Sequence, residues 1–141
     1  MDYPDNCIRG LSKGSEITVE GFVPENAFYF KNVNRKDGWD EQSINWEDDD
    51  SVIGFTLNQK NENGETKYVN GVAVISRYKI DRLIDRIEKG LLRYERQQIN
   101  DNHYHGNILL KSETTKKTMK IIAAGISLAV EKIVPHMEIK R

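Results

Sequence analysis

Val72-Ala-Val-Ile-Ser76-Arg-Tyr-Lys-Ile-Asp-Arg-Leu-Ile-Asp-Arg-Ile87 changes its apolar period in the middle. Up to Ser76 the residues are mostly β-branched, with Val72, Val74 and Ser76 alternating against Ala73 and Ile75, which is the pattern of a strand. From Ile80 onward the large apolar residues are Ile80, Leu83, Ile84 and Ile87, three and four apart, which is one face of a helix. Ser76 stands at the junction and reads as the helix N-cap, because its hydroxyl can accept a first-turn N–H. The helix is expected to end near Lys89, ahead of Gly90. A strand feeding straight into an amphipathic helix makes sheet and helix share one core.

Upstream of it, residues 52–59 alternate, with Ile53, Phe55 and Leu57 on one side. Asn63-Gly64 supplies the positive φ of a tight turn, so residues 52–59 and 67–76 are predicted to form a hairpin. Residues 17–23 and 28–30 read as short strands. Residues 32–50, carrying Trp39 and Trp46, read as a long polar loop.

Downstream, residues 107–111 read as a short buried strand and residues 112–115 as a capping region. A second helix is predicted to run to about Val134 and to stop at Pro135. Met119, Ile122, Ala123, Ile126, Val130 and Ile133 make its main stripe, while Ile121, Gly125 and Leu128 widen the apolar surface. Ala123, Ala124 and Gly125 permit close approach of another element. The expected architecture is a single α+β domain over residues 1–141, a mainly antiparallel sheet with two helices packed on one face.

A chain of 141 residues with 38% hydrophobic and 30% charged residues has the make-up of an ordinary globular domain. No run approaches the roughly 18 apolar residues of a membrane span, so no membrane partner is expected. The N-terminus has neither a basic region nor an apolar core, and Cys7 is the only cysteine. These features favour a reducing, cytoplasmic setting. The net charge of −1 hides a division. Through Glu65 there are 14 acidic and 6 basic residues (−8), and from Thr66 onward 8 acidic and 15 basic (+7). The halves are expected to face each other, and the balanced total argues against bulk attraction to nucleic acid.

The residues able to do chemistry gather at Asp101-Asn-His103-Tyr-His105-Gly106. On an extended backbone His103 and His105 point to the same side, and Asp101 shares their parity. The three would make a ligand set for a divalent metal. Gly106 would let backbone or ligand approach closely. Just upstream, Glu95 is a candidate base and Arg96 a candidate anion clamp. On a strand, Arg93 and Glu95 would share one face, and Tyr94 and Arg96 the other.

Arg96 precedes His103 by seven positions, similar to an arginine–histidine pair on one helix of certain all-helical ribonucleases; here the intervening residues do not read as helical. Arg9-Gly10, Gly14 and Glu20-Gly-Phe22 resemble the NAD-cradling first strand of ADP-ribosylating enzymes, but no catalytic glutamate motif follows. Cys7 reads as a buried cysteine. His136 lies far from the other histidines.

Lys79, Arg82, Arg86 and Lys89 share one side of the first helix, flanked by Asp81, Asp85 and Glu88, as in a salt-bridged solvent face. No glycine-rich phosphate loop, CxxC pair or nucleophile elbow is present. Two functional readings result. The first is a small cytoplasmic interaction or regulatory module that self-associates, or binds a protein partner, through an apolar helix face. The alternative is a metal-assisted hydrolase of phosphoesters or nucleic acid. It would use Glu95, Arg96, His103 and His105 for catalysis and Asp101, His103 and His105 as ligands of a divalent cofactor. Plain binding of nucleic acid by the basic helix faces is less favoured.

Overall fold

In chain order the elements among the described residues are β1 (Asn6–Gly10), a 3-10 turn (Glu25–Phe28), β2 (Trp39–Trp46), α1 (Ser51–Leu57), β3 (Val72–Ser76), α2 (Arg77–Ile87), β4 (Leu92–Arg96), β5 (His105–Lys111), α3 (Lys116–Leu128) and β6 (Val130–Val134). The six strands form one antiparallel sheet in the order β4-β5-β2-β1-β3-β6. The computed structural model describes residues 3–32, 35, 37–99 and 101–135.

Alternation along the strands divides the sheet into two faces. The main-core face carries Cys7, Ile44, Trp46, Ala73, Ile75, Ile108 and Leu110, and packs against α2, α3 and the 3-10 turn. Ile80 and Ile84 of α2 and Ile122, Ala123 and Ile126 of α3 supply the helix side of that core. The opposite face carries Ile8, Val72 and Val74 under Val52 and Leu57 of α1. The architecture is therefore α+β with an antiparallel sheet, but with three α-helices among the described residues rather than two, and α1 lies across the sheet from the other two.

Ser76 caps α2 as its chemistry predicts, its hydroxyl accepting from the Lys79 N–H at 3.2 Å. Thr115 does the same for α3 at 3.2 Å. Gly90 follows α2 at φ +89°, a conformation glycine adopts without Cβ strain. Gly125 receives Leu83 of α2: a Cβ there would come within 2.4 Å of Leu83 Cδ2. The small-residue segment of α3 is thus where the two helices meet.

The predicted hairpin does not form. Residues 51–57 are helical, and period-2 alternation over so few residues also fits a two-turn helix that buries Val52, Thr56 and Leu57. Residues 32–50 are not one loop either, since β2 runs through them between β1 and β5. Its polar side chains are tied down: Gln42 Nε2 donates to the Phe28 carbonyl at 2.8 Å and Asn45 Nδ2 to Thr56 Oγ1 at 2.8 Å. Residues 17–23 are not a strand. Gly21, at φ +88°, turns the chain so that the Thr18 N–H reaches the Phe22 carbonyl at 2.8 Å.

The second predicted helix stops at Leu128 instead of Val134. Ala129 closes it, and Val130–Val134 pairs with β3. Without that strand, β3 would leave a row of N–H and C=O groups open beside a core helix. No helix among the described residues is long and apolar enough to cross a membrane. The Arg96–Asp48 pair joins the basic second half to the acidic first half, whereas Arg35–Glu95 joins the halves in the reverse sense.

Candidate functional site

The histidine segment is divided by the point at which β5 begins. Residues 101–104 form a turn, pinned by Asn102 Oδ1, which accepts from the Tyr104 N–H at 3.0 Å, and β5 starts at His105. His105 is therefore a buried sheet residue, 8% exposed, opposite Asn45 of β2. Its Nδ1 lies 2.9 Å from the Gln97 carbonyl, which can only accept, so Nδ1 carries the proton. His103 lies on the turn with its ring 4.2 Å from the Tyr104 ring. Asp101 is exposed on the same turn. Among the described residues no group of three or more His, Cys, Asp or Glu side chains is placed to hold a metal ion. His136 lies outside the described residues.

Gly106 does admit a close approach, and the group that approaches is the Trp46 indole. Its Nε1 donates to the Glu95 carbonyl at 3.1 Å. The indole also stacks on Tyr3 at 4.8 Å and meets Tyr94 edge-on at 5.6 Å.

Glu95 and Arg96 lie on β4 and, as alternation requires, point to opposite faces. Arg96 chelates Asp48 through two hydrogen bonds of 2.8 and 2.9 Å. Glu95 belongs to a cluster around Arg35, whose guanidinium reaches Asp37 at 2.6 Å, Glu41 at 3.2 Å and Glu95 at 2.7 Å. The hydrogen bond from Arg35 holds the Glu95 carboxyl below the usual glutamate range, and Asn107 Nδ2, 2.7 Å away, adds to it. A carboxylate so held is a poor proton acceptor.

Its folded pKa lies below its unfolded value of about 4.3, so its contribution to stability is present above that value and is lost as pH falls through the folded pKa. Glu95→Gln is thus expected to flatten the decline of stability on the acid side. Urea unfolding at stepped pH checks this, and equal acid-side slopes for wild type and variant would count against it.

Arg9 is framework, and Cys7 is buried as the sequence reads. Arg9 inserts where β1 and β2 diverge, donating to the Ala27 carbonyl at 3.0 Å and to the Ser43 carbonyl at 2.6 Å. Cys7 is fully buried, and burial pushes its thiol up to about 12, which leaves no thiolate for nucleophilic chemistry at neutral pH.

The surface of the molecule offers a different site. Leu128, in the last turn of α3, is 75% exposed and Phe22 is 57% exposed. Leu128 forms a ridge between two hollows. One, of about 270 Å3, is floored by Leu83, Gly125 and Ala129 and rimmed by Lys79, Arg82 and Arg86. The other, of about 380 Å3, lies among Phe22, Val23, Val130 and Ile133 and is rimmed by Glu131 and Lys132. Ser127 Oγ donates to the Val23 carbonyl at 2.6 Å and fixes the floor between them. Ile121, Gly125 and Leu128 were legible as a second stripe on α3. Phe22 was not, because only the Gly21 turn carries it to that helix.

β6 beside this surface is an edge strand that resists extension. A bulge interrupts its pairing at Val74/Ile75, Glu131 is held by Lys79 at 2.9 Å, Lys132 is exposed and Pro135 follows. Bulges, lysines and prolines are devices that keep edges from adding strands.

Comparison with family models, with curated proteins and with solved structures finds no match to this chain.

Proposed function

We propose that the protein is an interaction module that works as a homodimer through the Leu128 ridge. The observation that carries this reading is a leucine left 75% exposed between two apolar hollows. A ridge beside a hollow is self-complementary, as an interface between identical copies requires. With a two-fold axis between the ridge and the hollow floored by Leu83, Gly125 and Ala129, Leu128 of each copy enters that hollow of the other. The irregular β6 edge supports side-chain packing over sheet extension as the mode of contact. A cytoplasmic setting belongs to this reading, supported by the single, buried free thiol.

Analytical ultracentrifugation of wild type and Leu128→Asp provides the test. Wild type is expected to be a dimer and the variant a monomer. An exposed position costs the monomer no more than about 0.5 kcal/mol, so the variant keeps its fold and melting temperature at low concentration. A wild-type protein that stays strictly monomeric at high concentration removes the proposal.

A further inference from the structure

We propose that a second site, on the sheet face opposite the main core, binds small hydroxycarboxylates. This goes beyond the dimer reading and is independent of it. A pocket of about 150 Å3 opens there over β1, β2 and β5, with Tyr68 and Gln59 as walls and Asn102 and His105 at its far side. At about 30 Å3 per water it has room for roughly five waters, the scale of a compact metabolite.

The pocket is built into the fold. Gly10 makes room for its wall, since a Cβ there would lie 2.3 Å from the Tyr68 ring. Four polar side chains are buried around it: Thr56 (1% exposed), Asn45 (5%), Asn102 (7%) and His105 (8%). Burying so many polar groups is costly unless each finds a partner.

Much of this set is accounted for by the framework. Thr56 Oγ1 donates to the Val52 carbonyl at 2.8 Å, Asn45 Nδ2 donates to Thr56 Oγ1 and to Gln59 Oε1, and Asn102 Nδ2 donates to Asn45 Oδ1 at 2.9 Å. Together these bonds tie α1 and Asn102 to β2.

The remainder is not accounted for by the framework. His105 donates its Nδ1 proton to the Gln97 carbonyl, so in the neutral ring Nε2 is the acceptor, and it has no hydrogen-bond partner among the described residues. Gln59 spends its oxygen on Asn45 and keeps its amide protons. Ser43 and Tyr68 also line the pocket, and neither hydroxyl makes a hydrogen bond with a described residue. Among the described residues the pocket's lining has one charged side chain, Lys67, and no carboxylate.

The spare groups therefore comprise one acceptor, several donors and one positive charge. A carboxylate matches the donors and Lys67, and a hydroxyl donates to Nε2. Aliphatic and aromatic walls from Ile8, Ile99 and Tyr68 take the carbon skeleton.

The test is an NMR titration of the full chain with glycolate, lactate, glycerate and malate, read at the Asn45, Asn102 and Gln59 side-chain amides and the His105 ring. Saturable shifts at these groups are expected for at least one of the four, with a Kd on the order of 1 mM. Propionate, which lacks the hydroxyl, and propane-1,2-diol, which lacks the carboxylate, should each bind at least about tenfold more weakly. Lys67→Gln and Ser43→Ala, both at exposed positions, should keep the fold and weaken binding by about tenfold. The proposal is overturned by unsaturated or scattered shifts with all four acids, by propionate or the diol binding equally well, or by unchanged affinity in both variants. Leu128→Asp should bind as wild type does, so this test and that of the dimer succeed or fail separately.

Discussion

Gly106→Ala is expected to destabilise the fold by about 3 kcal/mol, measured by urea unfolding, although it adds a single methyl group. A Cβ at this position would come within 2.2 Å of Trp46 Nε1 and 2.4 Å of the Glu95 carbonyl oxygen. The oxygen is backbone in β4, and the indole is fully buried between Tyr3 and Tyr94. Relief requires either shifting a strand or swinging the indole, and a swung indole leaves its N–H buried without the Glu95 acceptor. Because the strain runs through Trp46, the effects should couple. Trp46→Phe should cost clearly less in the Gly106→Ala background than in wild type. Additive costs, or a Gly106→Ala loss under about 1 kcal/mol, would show that the strands relax freely.

Ile122→Ala and Ile121→Ala differ by one position on α3 and should differ several-fold in effect. Ile122 is fully buried in the main core, whereas Ile121 is 52% exposed. Truncating Ile122 removes buried methyl groups and leaves a cavity where α3 meets the sheet, a loss of about 3 kcal/mol. Truncating Ile121 should stay within about 0.5 kcal/mol. Thermal or urea unfolding of both variants measures the contrast. Equal losses would mean that α3 is rotated about its axis from the orientation described.

The candidate site was legible only in part. Glu95 and Arg96 were read to opposite faces if the segment were a strand, and β4 places them so. Their partners, Arg35 and Asp48, are 60 and 48 residues away, and nothing local announces either pair. His103 and His105 share parity in the sequence, yet the turn ends between them. One ring rests beside Tyr104 at the surface and the other lines a pocket. The pocket's other walls come from β1, β2, α1 and the 67–68 segment, so no stretch of sequence contains it.

Local pattern was enough for the change of period at Ser76, the inward Ile80 and Ile84 of α2, the capping region over residues 112–115, the face that α3 buries and the strand leading into Lys111. In each, a hydrogen bond or a period of 3.6 or 2 acts within a few residues. Three features depended on tertiary structure. Residues 39–46 became a central strand despite polar side chains, because ladder hydrogen bonds are made by backbone and are indifferent to side-chain polarity. Residues 130–134 left the helical register to cover the edge of β3. Residues 51–57 coiled to cap Ile8, Val72 and Val74 on the far face. A short apolar run shows that it will be buried; its conformation is set by which distant strand still lacks a partner or a cover.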